Sequence, residues 1–399
     1  MPVTNGLDSH AAPYWRLSSF YFFYFATLGA LLPFWSLYLK HLGFSPPAIG
    51  GLMGLIAATK ILAPYIWGWI ADHTGRRLTM IRAASLVSVV CFAGVFFSSD
   101  FIWLASVMFL FSFFWNAGLP QFEVTTLRFL GDDHHRYSDI RLWGSIGFIV
   151  TVISLGPVLD RFGIAYLPYV LLGLYFCIWI STLCVPNSPQ LERHTISGTS
   201  VLAILKQPIV AVTLLAGFLM QFGFGPYYTF FSIHLENHAY SKAAVGIIWS
   251  LGVVAEVFIF LMMYRLLPAV GPKRLLLLCF LCAAVRWTVT GLLADYIFIL
   301  IITQLLHAIT FGVFHAVMVH LIHRFFSGAH QGRGQALYSS LSFGAGGALG
   351  AYLSGYSWDA WGADATFLIA GASAVLGIVL ILFGMPKIND SDCVTGKVL

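Results

Sequence analysis

Charge is what this sequence has least of. Only 9% of its 399 residues are Asp, Glu, Lys or Arg, against about a quarter in an ordinary soluble chain. With 59% hydrophobic and 16% aromatic residues, too few polar groups remain to clothe a water-facing surface, so a soluble multidomain chain is excluded and a bilayer is the expected solvent. Cysteine is scarce as well. Of six, Cys91, Cys177, Cys184, Cys279 and Cys282 fall in apolar stretches and Cys393 in the tail. Their spacing suits neither a metal site nor a secreted disulfide framework, and no metal or other cofactor is expected. No nucleophile–base pair stands out, which argues against an enzyme. The first thirteen residues lack the basic stretch of a signal peptide, so the first apolar segment is expected to be retained.

What is present is long apolar runs. Twelve of them, at about 15–39, 47–70, 78–98, 101–125, 141–159, 165–185, 208–232, 243–265, 275–294, 296–320, 337–355 and 364–384, approach the ~20 residues that cross a hydrocarbon core. Backbone in lipid must satisfy its own hydrogen bonds, so these are helices. Basic residues orient them. Outside segments would hold only Lys40, Arg161 and Lys242, spans hold Lys60 and Arg286, and every other Lys or Arg falls on the inside with both termini. The net charge of +5 reflects this bias and needs no nucleic acid to explain it. Pro186-Asn-Ser-Pro189 and the Ser/Thr-rich run after it mark a cytoplasmic linker at 186–207 between halves at 14–185 and 208–386. The expected fold class is an all-α integral membrane protein, twelve helices in two pseudo-symmetric six-helix bundles.

The chain repeats itself. At an offset of 196 positions, Phe34-Trp-Ser36-Leu-Tyr-Leu39 meets Phe230-Phe-Ser232-Ile-His-Leu235, and Ser45, Ala48 and Gly50 meet Ser241, Ala244 and Gly246. An offset near half the length marks a duplicated architecture. Inside the repeat Lys60 meets Glu256. An ionisable group at the bilayer centre costs about 2.5–3.5 kcal/mol on insertion scales, so it persists only with partners or a wet cavity. Lys60, Glu256 and Arg286 lie on three helices from both halves, which points to a shared midplane cavity of the kind that secondary transporters use. Their formal sum of +1 suits a small organic anion, with aromatics as apolar walls. Gly344, Gly346, Gly347 and Gly350 give the eleventh helix a small-residue packing face. Asp132-Asp133-His134-His135 reads as a solvated turn, not a metal site.

Gly68-Trp-Ile-Ala-Asp72-His-Thr-Gly75-Arg76-Arg77 resembles the signature loop of the major facilitator superfamily, over a span of residues 14–386. The resemblance implies a cytoplasmic gate latch of Asp72, Arg76 and Arg77; the second copy keeps Gly271, Lys273 and Arg274 but has Pro268 where Asp72 has its equivalent. Asn116 to Glu123 and Arg141-Leu-Trp-Gly144-Ser-Ile-Gly147-Phe148, with Trp249 to Glu256, Arg286-Trp287 and Leu306-His307, resemble the phenylpropionate permease branch and its lactose-permease-like core. That resemblance implies that Glu123 and Arg141 face each other in the cavity, with Phe148 as a stacking wall. It also places Glu256, Arg286 and His307 among the substrate and proton groups. The sequence departs from the pattern at Thr310, in the place of a proton-carrying carboxylate, and at Gln304, in the place of a Lys. His315, His320 and His323 continue down the tenth helix, where packing is the commoner role for such residues.

The expected function is proton-coupled uptake of a small aromatic monocarboxylate across a bacterial inner membrane. Lys60, Glu123, Arg141, Phe148 and Arg286 would bind substrate, Glu256 or His307 would carry the proton, and the working unit is expected to be a monomer. A sugar or nucleoside symporter is the alternative, and a membrane sensor that does not transport is the reading from another class. Gly156-Pro157 begins an exporter-type motif, but Val158-Leu159 break it.

Overall fold

A computed structural model describes residues 13–131, 133, 136–186 and 201–386. Most of the expected linker, the loop residues 132, 134 and 135, and Cys393 lie outside the described residues. Ten spanning helices follow in order: α1 Tyr14–His41, α2 Pro46–Thr74, α3 Arg77–Phe96, α4 Phe101–Leu130, α5 Tyr137–Phe162, α6 Ile164–Cys184, α7 Pro208–Asn237, α8 Lys242–Val270, α9 Pro272–Leu292 and α10 Ile297–Phe325. A last apolar stretch, Gln331–Gly384, is 54 residues long, far more than one crossing needs. Gly362 breaks it with φ 81° and ψ −176°, a left-handed conformation that only glycine adopts readily. The chain folds back there: Ser357 Oγ and Thr366 Oγ1 are 3.0 Å apart. It therefore forms two helices, α11 (331–361) and α12 (363–384), and the protein is an all-helical membrane protein of the twelve-helix kind expected.

Local signals set the ends. Pro46, Pro208 and Pro272 sit in first turns, where a missing N–H costs nothing. Asp100 Oδ1 accepts from the amides of Ile102 and Trp103 at 2.9 and 3.1 Å, and Gly75 closes α2 at φ 66°. Most helices run several residues beyond the apolar runs that announce them, because polar end residues continue the helix into the headgroup layer.

Within the first half α1 packs on α5 and α6, α3 on α4 and α6, and α2 on α4; in the second, α7 packs on α11 and α9 on α12. Two main seams, α2 against α11 and α5 against α8, join the halves, and α1 also touches α7. The two main seams are alike in construction. A Cβ on Gly50 would sit 2.7 Å from the Ala351 carbonyl oxygen, and one on its repeat partner Gly246 would strike the Val152 carbonyl. Both glycines let backbones touch at the end of the molecule opposite the basic loops. Two π-helical turns interrupt the second half, Ala308–Val313 in α10 and Ser340–Gly346 in α11; such turns recur at functional sites because they re-aim side chains.

Candidate functional site

Arg286 is the centre of the second-half cluster. It is 0% exposed on α9, and its Nη1 donates to Thr310 Oγ1 at 3.0 Å. No carboxylate lies within ion-pair distance among the described residues, and Nε and Nη2 have no acceptor of the chain. Aromatic faces surround the cation instead: its Cζ is 4.4 Å from the Trp287 ring, 4.5 Å from Tyr227 and 5.4 Å from Phe224. Such contacts offset part of the desolvation of a guanidinium but supply none of its missing hydrogen bonds.

Glu256 on α8 and His307 on α10 face each other, with Oε2 and Nε2 3.7 Å apart. A side chain on Gly252 would press on the His307 ring, and one on Gly312 on Glu256 Cγ, so glycines on both helices keep this pair close. The His307 ring stacks on Phe311 at 5.3 Å and lies 5.9 Å from Tyr227. Tyr227 Oη donates to Gln304 Oε1 at 2.9 Å. Thus Thr310 and Gln304, the two departures from the family pattern, both touch this cluster directly.

The first half contributes Glu123 and Arg141, which are not bonded to each other. Glu123 Oε1 accepts from Tyr137 Oη at 3.2 Å, while Arg141 lies over the Phe25 ring at 3.8 Å. Phe148 is buried, with its backbone against Gly29. Lys60 stands apart. No carboxylate reaches its amine within 4 Å among the described residues, and its helix is pinned to α11 by Ser340 Oγ, which donates to the Ile61 carbonyl at 3.1 Å. Among the described residues no group of three His, Cys, Asp or Glu could hold a metal.

At the basic end Arg77 Nη2 meets Asp72 Oδ1 at 2.5 Å, and Arg77 also donates to Gln121. These contacts tie α2, α3 and α4 together within the first half. Arg76 is exposed. Sequence reasoning missed Tyr227, which lies against Arg286, and Tyr228, which packs beside it. Their signal, Gly225-Pro226-Tyr227-Tyr228 inside an apolar helix, is faint among 52 Phe and Tyr residues (35 Phe, 17 Tyr).

Comparison with known proteins agrees with this architecture. The family model described as MFS_1 like matches residues 14–369. A probable 3-phenylpropionic acid transporter of Escherichia coli (strain K12) is 28% identical over 381 residues, covering 93% of this chain and 97% of its own. A maltose permease of Geobacillus stearothermophilus is 25% identical, covering 91% and 92%. Among solved structures, a mutant of the nucleoside transporter NupG superposes with a TM-score of 0.84 at 17% identity, over 94% of this chain and 100% of its own. The chain therefore belongs to the MFS_1-like family, and it is a major facilitator secondary transporter of small molecules embedded in the membrane, not an enzyme.

Proposed function

We propose that this transporter takes up a small aromatic monocarboxylate, of the phenylpropionate kind, together with protons. The observation that carries the reading is Arg286, a fully buried cation with two unpaired N–H-bearing nitrogens and no carboxylate of its own. Leaving a buried charge without a counterion costs several kcal/mol, and an anionic substrate supplies that counterion. The Trp287, Tyr227 and Phe224 rings around it suit an aromatic body. Glu256 beside His307 is the proton site: with a proton shared between them the pair carries no excess negative charge, and substrate at Arg286 alters the field in which that proton is held. The name of the Escherichia coli relative supports the substrate class.

In this reading the basic end faces the cytoplasm of a bacterial inner membrane, with both termini and the 186–207 linker there, and the monomer is the working unit. A neutral sugar or nucleoside is the second reading. It is favoured by Glu123 and Arg141, whose polar ends adjoin Tyr137, Phe25 and Tyr21, and by the maltose and nucleoside relatives. Uptake of radiolabelled 3-phenylpropionate, maltose and uridine into proteoliposomes, with and without an inward proton gradient, separates them. Accumulation of the acid alone, abolished by a protonophore, is expected; accumulation of maltose or uridine and not the acid would sink the proposal.

A further inference from the structure

We propose that Gln304 is a specificity-determining residue: its amide N–H joins Arg286 in a clamp built only of donors, which selects a carboxylate and turns away the matching carboxamide. This rests on the reading of Arg286 as the anion site, and it assigns part of the discrimination to a neutral side chain beside the charge.

The argument begins with which buried atoms lack partners. Gln304 is 0% exposed. Its carbonyl oxygen is taken by the Tyr227 hydroxyl at 2.9 Å, which leaves Nε2 without an acceptor of the chain. Tyr227 also lies under Arg286, with 4.5 Å from Cζ to the ring centroid, so amide, phenol and guanidinium are contiguous. In this neighbourhood the atoms without partners include Arg286 Nε and Nη2 and Gln304 Nε2, which can only donate, and His307 Nδ1, which donates or accepts according to its tautomer. A buried donor left unpaired is costly, so several in one place are best explained by an acceptor that arrives from outside. An ionised carboxylate offers two oxygens and only accepts, whereas a carboxamide of equal shape replaces one acceptor with two more donors.

The charge of Arg286 already favours the anion over the neutral amide, but it does not fix where the two oxygens sit. Gln304 contributes geometry. Tyr227 fixes which end of the amide is left over, and that end requires an oxygen. The nearby π-helical turn Ala308–Val313 carries Thr310, which holds the third nitrogen, Nη1, away from the clamp. As Arg286 is fully buried in this conformation, substrate reaches it when the Phe224 ring over it shifts.

The test is equilibrium binding to purified, detergent-solubilised transporter by calorimetry, with 3-phenylpropionate and 3-phenylpropionamide as probes. Wild type is expected to prefer the acid by at least about 10-fold, the scale of one hydrogen bond to a charged group. Gln304→Leu should weaken acid binding by about 10-fold and leave the amide unchanged, so that the preference narrows by about 10-fold and the part due to the Arg286 charge remains. Tyr227→Phe, which frees the amide to rotate, should narrow the preference while Arg286 still binds the acid. Tighter acid binding by Gln304→Leu would overturn the clamp, since it would mean that the amide oxygen faces Arg286 and competes with substrate. So would an unchanged acid-to-amide ratio in both variants, provided that Arg286→Ala abolishes acid binding; that outcome would leave the anion site standing and remove Gln304 from it. Failure of wild type to bind the acid at all would overturn the anion site and the clamp with it. A sharp, single thermal transition for each variant guards against misfolding.

Discussion

Glu256 carries more of the proposed chemistry than any other side chain. A carboxylate among apolar helices is expensive to keep ionised, and among the described residues the ionisable group within 4 Å of it, His307 at 3.7 Å, is neutral or cationic according to where one proton sits. Removing the ability to ionise should therefore separate coupling from movement. Glu256→Gln is expected to abolish gradient-driven accumulation in proteoliposomes while retaining exchange of labelled for unlabelled substrate. A Glu256→Gln protein that still concentrates substrate would assign the proton elsewhere, with His307 and Glu123 next in line. Arg286→Ala should act on affinity instead, weakening carboxylate binding by at least about 10-fold, the scale of one charge-assisted hydrogen bond. These residues were legible in the sequence because an ionisable group in a 20-residue apolar run is rare enough to be seen. Tyr227 was not, since one more aromatic ring in so aromatic a chain carries no mark. Lys60 shows the limit of symmetry: the repeat pairs it with Glu256, yet packing of α2 on α11 leaves it outside the Arg286 cluster.

Among the elements, the α2–α3 turn was the clearest in the sequence. Its glycine does close α2 in a left-handed conformation. Its Asp72, however, reaches Arg77 of the next helix, and Arg77 reaches Gln121 of α4, so the contacts brace one half. Asp72 is 69% exposed, and an ion pair so open to water contributes at most about 1 kcal/mol. Asp72→Asn should accordingly leave thermal stability and substrate affinity almost unchanged. Any loss should fall on the rate at which the braced helices move, read as a lowered maximal transport rate at unaltered binding affinity. A several-fold loss of affinity would place Asp72 in the binding site and contradict this. The π-helical turns had no signal in the sequence, because they depend on side chains from neighbouring helices and not on local propensity. The break between α11 and α12 had one, Gly362 between Trp361 and Ala363, although the apolar character runs through it.

At the scale of the whole molecule, the end opposite the basic loops is held shut by contacts between the halves. Lys40 Nζ at the end of α1 donates to Glu236 Oε2 and Asn237 Oδ1 of α7, both at 2.9 Å. Asp160 at the end of α5 accepts from the amides of Lys242 and Ala243 at 2.9 Å each, so a carboxylate of one half caps the first turn of α8 in the other. The two devices differ in strength. The Lys40–Glu236 pair is 40% and 34% exposed and contributes about 0.2–1 kcal/mol at most. A helix cap contributes about 0.5–2 kcal/mol, and a negative charge at a helix N-terminus adds a further ~0.3–1 kcal/mol. Since 1.4 kcal/mol is tenfold in an equilibrium, Asp160 should dominate the closure and Lys40 should only trim it. The α5–α8 seam beneath Asp160 includes Val152, buried against Gly246, which makes a reporter position. In a background freed of the native cysteines, Val152→Cys should react slowly with a membrane-impermeant maleimide added from outside. Adding Asp160→Ala should raise that rate by about 10-fold, the upper half of the cap's range, whereas adding Lys40→Ala should change it by no more than about 5-fold. If Asp160→Ala reacts no faster than its parent, the cap is a local tie with no hold on the opening of this end, and the seam must be kept closed by the backbone contacts at Gly50 and Gly246.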